Sequence, residues 1–205
     1  MDCFKVDKNR NLVRMFNALP DEVAVDVYSN GKLVFSNLKY KEFTPYTYGI
    51  MDKQKIDVYK TGTKTNPLIR ASITVPDEQI FTISLIGNTG EESLFVDEDD
   101  KTQKPSTKDA VVRIINLSPE LGVIDVKFNG VAYADDIEYR DETEYTYLPI
   151  GKYVVAVEDG NNVNQFAQGN YEFKVNRIYT IYRVGNKPNI EIIQSVDGNT
   201  YACPQ

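Results

Sequence analysis

The 205-residue sequence contains no histidine and no tryptophan, and only two cysteines. Without histidine, a Ser-His-Asp triad or a Cys-His pair cannot form, and most zinc sites lose their usual nitrogen ligand. Catalysis would have to use carboxylates, lysines or tyrosines, as a glycosidase with two carboxylates does. No acidic pair stands out from an ordinary solvated surface. We therefore expect a protein that is not an enzyme and that uses no cofactor or metal, with a carboxylate-based hydrolase as the remote alternative.

Long apolar runs are also missing, and no stretch of about 18 apolar residues is present that could span a bilayer. The start, from Met1 to Lys8, lacks the basic end and apolar stretch of a secretory signal. We expect cytoplasmic synthesis without membrane insertion, with deposition on a cell or spore surface as a further possibility. The net charge of −7 opposes contact with phosphate backbones, so nucleic acid is not an expected partner.

Two segments of the sequence repeat one another at a shift of 99 positions. The run from Val13 to Pro20 (VRMFNALP) returns from Val112 to Pro119 (VRIINLSP). The same shift superimposes Asp26-Val27 on Asp125-Val126, Asn30-Gly31 on Asn129-Gly130, and Thr44, Tyr46 and Tyr48 on Thr143, Tyr145 and Tyr147. A repeat of this kind fixes the architecture. We predict an N-terminal tail (1–12), repeat 1 (13–98), a polar linker (99–111), repeat 2 (112–198) and a C-terminal tail (199–205).

Within each repeat, apolar and polar residues alternate with period two. The segment 23–28 alternates in this way and is followed by Asn30-Gly31, which tolerates the positive φ of a tight hairpin turn. Further strands are predicted at 56–59, 68–75, 80–86 and 94–96, with counterparts at 153–157, 171–175, 178–184 and 190–195. No stretch carries an apolar stripe at helical period. The pattern predicts an all-β protein of two tandem antiparallel β-sandwich domains, immunoglobulin- or transthyretin-like.

The opening of the repeat resembles a known bacterial family. The run from Val13 to Asp21, followed by Val25-Asp26-Val27-Tyr28 and Gly31, is similar to the start of the domain of unknown function DUF4397. A second hallmark, a Tyr before a Leu-Pro-x-Gly-x-Tyr turn, stands at 145–153, whereas repeat 1 has Met51-Asp52-Lys53-Gln54 there, so we expect its loop to differ. Members often carry histidine where this chain has Asn17 and Asn116, and no role of that imidazole applies. The resemblance covers both repeats and implies a β-sandwich module, often surface-associated in bacteria, and no reaction.

An arginine and an aspartate recur in both repeats. Arg14 and Asp26 return as Arg113 and Asp125. Opposite charges often pair across neighbouring strands and fix their register. We predict two structural ion pairs, Arg14–Asp26 and Arg113–Asp125, with a repeated ligand-binding pair as the alternative.

Tyrosines fall at alternate positions in both repeats, at Tyr46 and Tyr48 and again at Tyr145 and Tyr147. Alternate residues share one face of a strand. An exposed row would suit contact with a glycan or a protein. Buried, the same side chains would fill the core or an edge, which the general burial of tyrosine favours.

The acidic run Asp97-Glu98-Asp99-Asp100 has two interpretations, a calcium site and a solvated charge run. Oxygen-rich loops bind calcium, but this run lacks the glycine and distal glutamate of an EF-hand loop. It opens the predicted linker, so we expect a solvated charge run without a metal.

The two cysteines, Cys3 and Cys203, lie in the two predicted tails. An exposed thiol in a flexible tail oxidises with whichever partner reaches it first. We predict an intermolecular disulfide that links chains head to tail, with two reduced thiols in a reducing compartment as the alternative.

These features predict a non-enzymatic structural, adhesion or binding module that acts through protein contacts, on a cell or spore surface. A carbohydrate-binding module that uses the tyrosine rows is the alternative. The sequence leaves the protein or glycan partner unidentified.

Overall fold

The computed structural model describes residues 3–6, 11–20, 24–49, 52–75, 78–120, 122–160 and 162–203. The chain forms two compact units, and the second is formed by residues Thr102–Thr200. The first unit contains Met1–Lys101 together with Tyr201–Gln205. The C-terminal residues therefore return to unit 1 and do not form a separate tail.

Unit 1 is a β-sandwich of two four-stranded sheets, with strand orders β4-β1-β7-β8 and β3-β2-β5-β6. Its strands are β1 (Leu12–Asn17), β2 (Val25–Ser29), β3 (Lys32–Leu38), β4 (Thr47–Tyr48), β5 (Asp52–Lys60), β6 (Ile69–Val75), β7 (Ile80–Ile86) and β8 (Ser93–Glu98).

Unit 2 repeats this arrangement, with sheets β12-β9-β15-β16 and β11-β10-β13-β14. Its strands are β9 (Asp109–Asn116), β10 (Ile124–Phe128), β11 (Val131–Ile137), β12 (Thr146–Pro149), β13 (Gly151–Asp159), β14 (Asn162–Phe173), β15 (Ile178–Val184) and β16 (Glu191–Val196). A 3-10 turn, Gly198–Tyr201, follows. In the described part of the chain, no helix is long and apolar enough to cross a membrane.

The cores form because alternate side chains of each strand face the opposite sheet. In β10, Ile124, Val126 and Phe128 are buried, whereas Asp125 and Lys127 between them are partly exposed. Each core draws buried residues from both sheets of its own unit. The prediction of two tandem all-β sandwich domains is confirmed.

The Asn-Gly hairpin turns are confirmed as well. Asn30 and Gly31 have φ values of 48° and 79°, and Asn129 and Gly130 have values of 50° and 78°. A two-residue turn with positive φ at both positions matches the twist of the strands that it joins. Three residues of the predicted motifs and strands, Asp21, Val23 and Met51, lie outside the described residues.

One pairing in each unit departs from an antiparallel sandwich. β1 pairs with β7 in parallel, Leu12 opposite Ile80, and β9 pairs with β15 in parallel, Val111 opposite Ile178. Side chains alternate between the two faces of a strand in parallel and antiparallel pairs alike, so the alternation in the sequence does not distinguish the two.

The expectation that Asp97-Glu98-Asp99-Asp100 is a solvated run is wrong for two of its members. Asp97 and Asp99 are buried, with 1% and 0% of their surface exposed. The main-chain N–H of Asp99 donates to the carbonyl of Ile80, so the run continues the edge of the sheet beyond β8. Among the residues that the structure describes, no group of three His, Cys, Asp or Glu side chains could hold a metal ion.

Candidate functional site

The candidate site is a cavity of about 180 Å³ between the two sheets of unit 1. Strands β3 and β4 are each outermost in their sheets. Val34 on β3 and Tyr48 on β4 are 39% and 48% exposed, so the cavity opens at this edge. Its lining consists of Val13, Met15, Ser29, Val34, Phe35, Thr47, Tyr48, Gly49, Gln54, Ile56, Ile73 and Ile83.

The cavity exists because several lining residues are smaller than their counterparts in unit 2. The counterparts follow from strand register: Ser29 pairs with Ile56 as Phe128 pairs with Val155. The five positions with the smaller residue in unit 1 are Ser29, Val34, Gly49, Gln54 and Ile73, where unit 2 has Phe128, Tyr133, Leu148, Tyr153 and Tyr171. At two other positions the larger residue is in unit 1: unit 1 has Phe35 and Ile56 where unit 2 has Ala134 and Val155. The difference in side-chain volume at these two positions is smaller than the difference summed over the other five.

Unit 2 fills the equivalent space with its own aromatic rings. The ring of Phe128 lies 4.3 Å from that of Tyr133 and 5.8 Å from that of Tyr153, measured between centroids. Tilted and edge-to-face rings at these separations attract one another in addition to their burial. The same scaffold therefore fills this space in unit 2 and leaves it open in unit 1.

The hydroxyl group of Tyr133 shows how a polar atom is accommodated in this space. It donates to the main-chain carbonyl of Val112 at 2.9 Å, and it also hydrogen-bonds the Oγ1 atom of Thr146. Burial raises the pKa of Tyr133 to about 12. The phenol is therefore neutral at physiological pH.

Unit 1 retains the two groups that hold this hydroxyl in unit 2. Thr47 and Val13 occupy the register positions of Thr146 and Val112. The Oγ1 atom of Thr47 contacts the carbonyl oxygen of Val13 at 3.5 Å, the long limit of a hydrogen bond. At another part of the wall, Oε1 of Gln54 accepts hydrogen bonds from Ser29 and Asn30, both at 2.8 Å. None of the lining residues is charged, so the cavity suits a neutral and largely apolar group.

The rim of the cavity is held by the N-terminal segment. The ring of Phe4 packs edge-on against that of Tyr48 at 6.2 Å, and the main-chain N–H of Lys5 donates to the Tyr48 hydroxyl at 3.3 Å. Phe4 in turn pairs in parallel with Ala202. The two terminal segments thus support one wall of the opening.

The predicted intermolecular disulfide is wrong, because Cys3 and Cys203 are bonded to each other within one chain. The prediction assumed flexible tails at opposite ends of an array. Instead, Phe4 donates to the carbonyl of Tyr201 at 2.9 Å, and Cys203 donates to the carbonyl of Phe4 at 2.8 Å. These main-chain bonds bring the two Cα atoms to 4.9 Å across 200 positions of sequence.

The predicted ion pairs Arg14–Asp26 and Arg113–Asp125 are also wrong. Each arginine lies on one sheet of its sandwich and each aspartate on the other. The Asp26 carboxylate accepts the main-chain N–H groups of Asn37 and Gly62 at 2.9 and 3.0 Å. Burial acts to raise the pKa of Asp26, but these hydrogen bonds outweigh it and hold the pKa below its ordinary value. Asp125 similarly accepts the N–H of Asp136 at 3.0 Å. Asp26 therefore holds the irregular end of β3 and the turn after β5, and Asp125 holds the irregular end of β11.

The arginines are buried beneath aromatic rings on the outer face of their sheets. The guanidinium carbon of Arg14 lies 4.4 and 4.6 Å from the ring centroids of Phe43 and Tyr46, and its Nε donates to Thr82. Arg113 lies 4.8 Å from the centroid of Tyr145. Both guanidinium groups are engaged by their own unit, which leaves the ligand-binding alternative without support.

Arg113 has two carboxylate partners that sequence reasoning missed. Its Nη1 lies 3.1 Å from Glu142, and its Nε lies 3.9 Å from Asp197, a fully buried residue. Asp197 also accepts hydrogen bonds from Thr180 and Tyr145, at 2.8 and 2.7 Å. A signal was present, because Asp197 recurs as Asp99 at the shift of 98 that aligns β15 with β7.

The predicted tyrosine rows do not form uniform surfaces. Tyr46 and Tyr145 are partly buried and cover the arginines. Tyr48 and Tyr147 are 48% and 64% exposed. Each row therefore divides into one structural ring and one exposed ring, and binding of a glycan or protein by the exposed rings stays a prediction.

A family comparison covers almost the whole chain. The model described as "Domain of unknown function (DUF4397)" matches residues 11–127 and residues 110–204. No curated protein matches the chain.

Three solved structures to which the chain is similar over most of its length are distant relatives in sequence. The chain is similar to CBMbc (family CBM26) from Eubacterium rectale Amy13K, solved with maltoheptaose, at 13% identity and a TM-score of 0.32, covering 94% of this chain and 99% of that one. It is similar to family 41 carbohydrate-binding modules from streptococcal virulence factors, at 11% identity and a TM-score of 0.28, covering 93% and 98%. The fimbrial anchor protein Mfa2 from Porphyromonas gingivalis has 11% identity and a TM-score of 0.22, covering 92% and 98%. Similarities of this size say nothing about the ligand of this chain.

Proposed function

Since the chain belongs to the DUF4397 family, which it matches in two successive copies, we propose that it is a non-enzymatic binding module with divided roles. Unit 1 binds an apolar group in the cavity between its sheets. Unit 2 has the same scaffold, fills the same space with its own side chains, and serves as a structural partner.

The observation that carries this proposal is the exchange of lining residues between two copies of one fold. Apolar cavities of about 150 Å³ accept a benzene ring, and the cavity of unit 1 has about 180 Å³. An unfilled apolar cavity leaves its lining atoms without contacts on one side. A ligand that fills the cavity supplies the missing contacts and stabilises unit 1 by mass action.

The test is a titration with toluene, an apolar ring of suitable size, followed by NMR of methyl groups. We expect shifts at Met15, Ile56 and Ile83, which line the cavity, and no shifts at Ile114, Val155 and Ile181, their counterparts in unit 2. Val34→Tyr places the unit 2 side chain in the cavity and should remove the shifts. Unchanged unit 1 spectra in the native protein, or equal shifts in Val34→Tyr, would contradict the proposal.

The location proposed for this module is a cell or spore surface. The support is the Cys3–Cys203 disulfide, since disulfides persist in oxidising environments and reducing compartments keep thiols free. Cys3 is exposed and accessible to reductants. Alkylation of thiols during extraction from cells tests this point: protection of both cysteines supports surface deposition, and labelling of both in intact cells opposes it.

A further inference from the structure

The chemical identity of the group that enters the cavity can be taken from the residue that unit 2 places there. Resting on the proposed function, we infer that unit 1 binds a para-alkyl phenol ring. The ring occupies the space of Tyr133, and its hydroxyl group lies between the carbonyl oxygen of Val13 and the Oγ1 atom of Thr47.

The first argument is the space. Tyr133 projects from edge strand β11, and the residue at its register position on edge strand β3 is Val34. Tyrosine exceeds valine by most of a phenol ring. The missing volume therefore has the shape of the ring that unit 2 retains.

The second argument is the hydrogen-bonding frame at the end of that space. In unit 2 the hydroxyl of Tyr133 donates to Val112 and contacts Thr146. In unit 1 the matching residues, Val13 and Thr47, both line the cavity, and the Oγ1 atom of Thr47 contacts the carbonyl oxygen of Val13 at 3.5 Å, a long distance for a hydroxyl donor. A ligand hydroxyl that donates to Val13 and accepts from Thr47 would replace this weak contact with two ordinary hydrogen bonds.

The third argument is the charge of the lining. A phenol with a pKa near 10 is neutral at pH 7 and needs no counter-charge. The lining offers none, because its polar members are hydroxyl and amide groups. A ring that carries a carboxylate would bury an unpaired charge, and a sugar would bury several hydroxyl groups against Val, Ile and Met side chains.

The direction of the para substituent follows from Tyr133. Its main chain lies on β11, so the substituent of the bound phenol points toward β3 and leaves beside Val34, which is 39% exposed. The ring can therefore belong to a free phenol or to a tyrosine side chain of another protein. Both sources present the same chemistry to the cavity.

The experiment compares 4-methylphenol, toluene and N-acetyltyrosine amide by NMR titration of the full chain with its disulfide intact. We expect 4-methylphenol to shift the methyl groups of Met15, Ile56 and Ile83 and to bind roughly fivefold more tightly than toluene, the effect of about one net hydrogen bond. Binding of N-acetyltyrosine amide at the same methyl groups identifies a tyrosine side chain as an acceptable source. If 4-methylphenol binds and N-acetyltyrosine amide does not, the source is restricted to small phenols.

Four variants separate the explanations. Thr47→Val should reduce the preference for 4-methylphenol over toluene to about one, whereas the matched Thr146→Val in unit 2 should leave it unchanged. Val34→Tyr should weaken both ligands at least tenfold. Tyr133→Val should create binding of 4-methylphenol in unit 2, with shifts at Ile114 and Ile181. Native-like dispersion of the amide spectrum confirms that each variant is folded.

The outcomes distinguish this inference from the function on which it rests. If toluene binds as tightly as 4-methylphenol, or if Thr47→Val leaves the preference intact, the phenol inference is overturned and the apolar binding function stands. If no ligand shifts the cavity methyl groups, or if Val34→Tyr binds as the native protein does, both are overturned.

Discussion

In unit 2, the carboxylate that pairs with the buried Arg113 cannot be identified from the spacing of charged residues in the sequence. On the outer face of its sheet in unit 2, the buried Asp197 carboxylate accepts hydrogen bonds from Thr180 and Tyr145 and lies 3.9 Å from the Nε atom of Arg113. The aspartate that spacing suggested, Asp125, lies on the opposite sheet and is partly exposed. The structure therefore assigns very different energetic roles to two aspartates of one unit.

Asp197→Ala should destabilise unit 2 by about 3 kcal/mol, because Arg113 is 2% exposed and would keep its desolvation cost without this partner. Asp125→Ala is the matched control and should cost about 1 kcal/mol, since it removes one hydrogen bond from the main chain of β11. Denaturant unfolding of the isolated variants measures both. Equal losses, or a larger loss for Asp125→Ala, would contradict the assigned partners.

A second buried arginine of unit 2, Arg183, has fewer hydrogen-bond partners for its guanidinium group. It is 1% exposed, and burial lowers its pKa to about 10. Its Nη1 donates to Asn116, but its Nε and Nη2 have no hydrogen-bond partner among the described residues. Unit 1 places Leu85 at the same register position, opposite Asn17.

Arg183→Leu should stabilise unit 2 by roughly 1–3 kcal/mol, because a hydrophobic side chain often replaces a poorly compensated buried charge with a gain. Asn116 keeps a partner, since its Oδ1 also accepts the N–H of Ser118. The exposed Arg140→Leu should change stability by less than about 0.5 kcal/mol. A lower unfolding midpoint for Arg183→Leu than for the native protein would show that Arg183 is well compensated.

The pKa of Tyr133 leads to a pH dependence with a definite sign. The folded protein holds this proton up to about pH 12, whereas the unfolded chain releases it near pH 10. Between these values the folded state binds more protons, so stability falls as the pH rises through this window. Tyr133→Phe should lose stability less steeply from pH 10 to pH 12, measured by denaturant midpoints. Identical slopes in the two proteins would place the Tyr133 phenol in water.

At the level of strands and turns, sequence reasoning succeeded where the signal is local. The Asn-Gly hairpins and the alternation in β10 depend on neighbouring residues, and both were predicted. The parallel β1–β7 pair and the burial of Asp97 and Asp99 depend on contacts across the fold, so a local pattern does not contain them.

The cavity illustrates the same limit. The shift of 99 positions aligned Val34 with Tyr133 in the sequence, but their difference carries meaning only when both are known to face the space between two sheets. Similarly, the sequence places Cys3 and Cys203 in two separate tails, because the return of the chain to unit 1 has no local signature.

The positive φ of Gly130, in the hairpin turn between β10 and β11, leads to a prediction about the stability of this hairpin. Gly130 has a φ of 78° and Gly122 lies outside the positive region, and a Cβ at either position would meet nothing within 4 Å. Gly130→Ala should therefore cost about 1 kcal/mol through backbone strain alone, whereas Gly122→Ala should be neutral or slightly stabilising. Thermal unfolding of the two variants isolates this effect. Equal midpoints would mean that the hairpin adjusts without strain.

For the whole molecule, the disulfide joins segments 200 positions apart. Cross-linking distant residues restricts the unfolded chain and typically stabilises by about 2–4 kcal/mol. Cys3→Ser, Cys203→Ser and the double variant should all lose the same amount of stability, because each removes the same bond. Oxidised native protein should run as a monomer on a non-reducing gel. A ladder of multimers that collapses with reductant would restore the intermolecular alternative.

The same bond changes how the protein carries mechanical load. Tension applied through handles outside Cys3 and Cys203 passes through two sulfur atoms and bypasses the chain between them. Under oxidising conditions neither sandwich is stretched, whatever its own resistance to unfolding. Reduction places the 200 intervening positions in series with the load and makes about 700 Å of extra contour length available. The pair of cysteines therefore determines whether a pulled molecule behaves as an inextensible link or as an extensible tether.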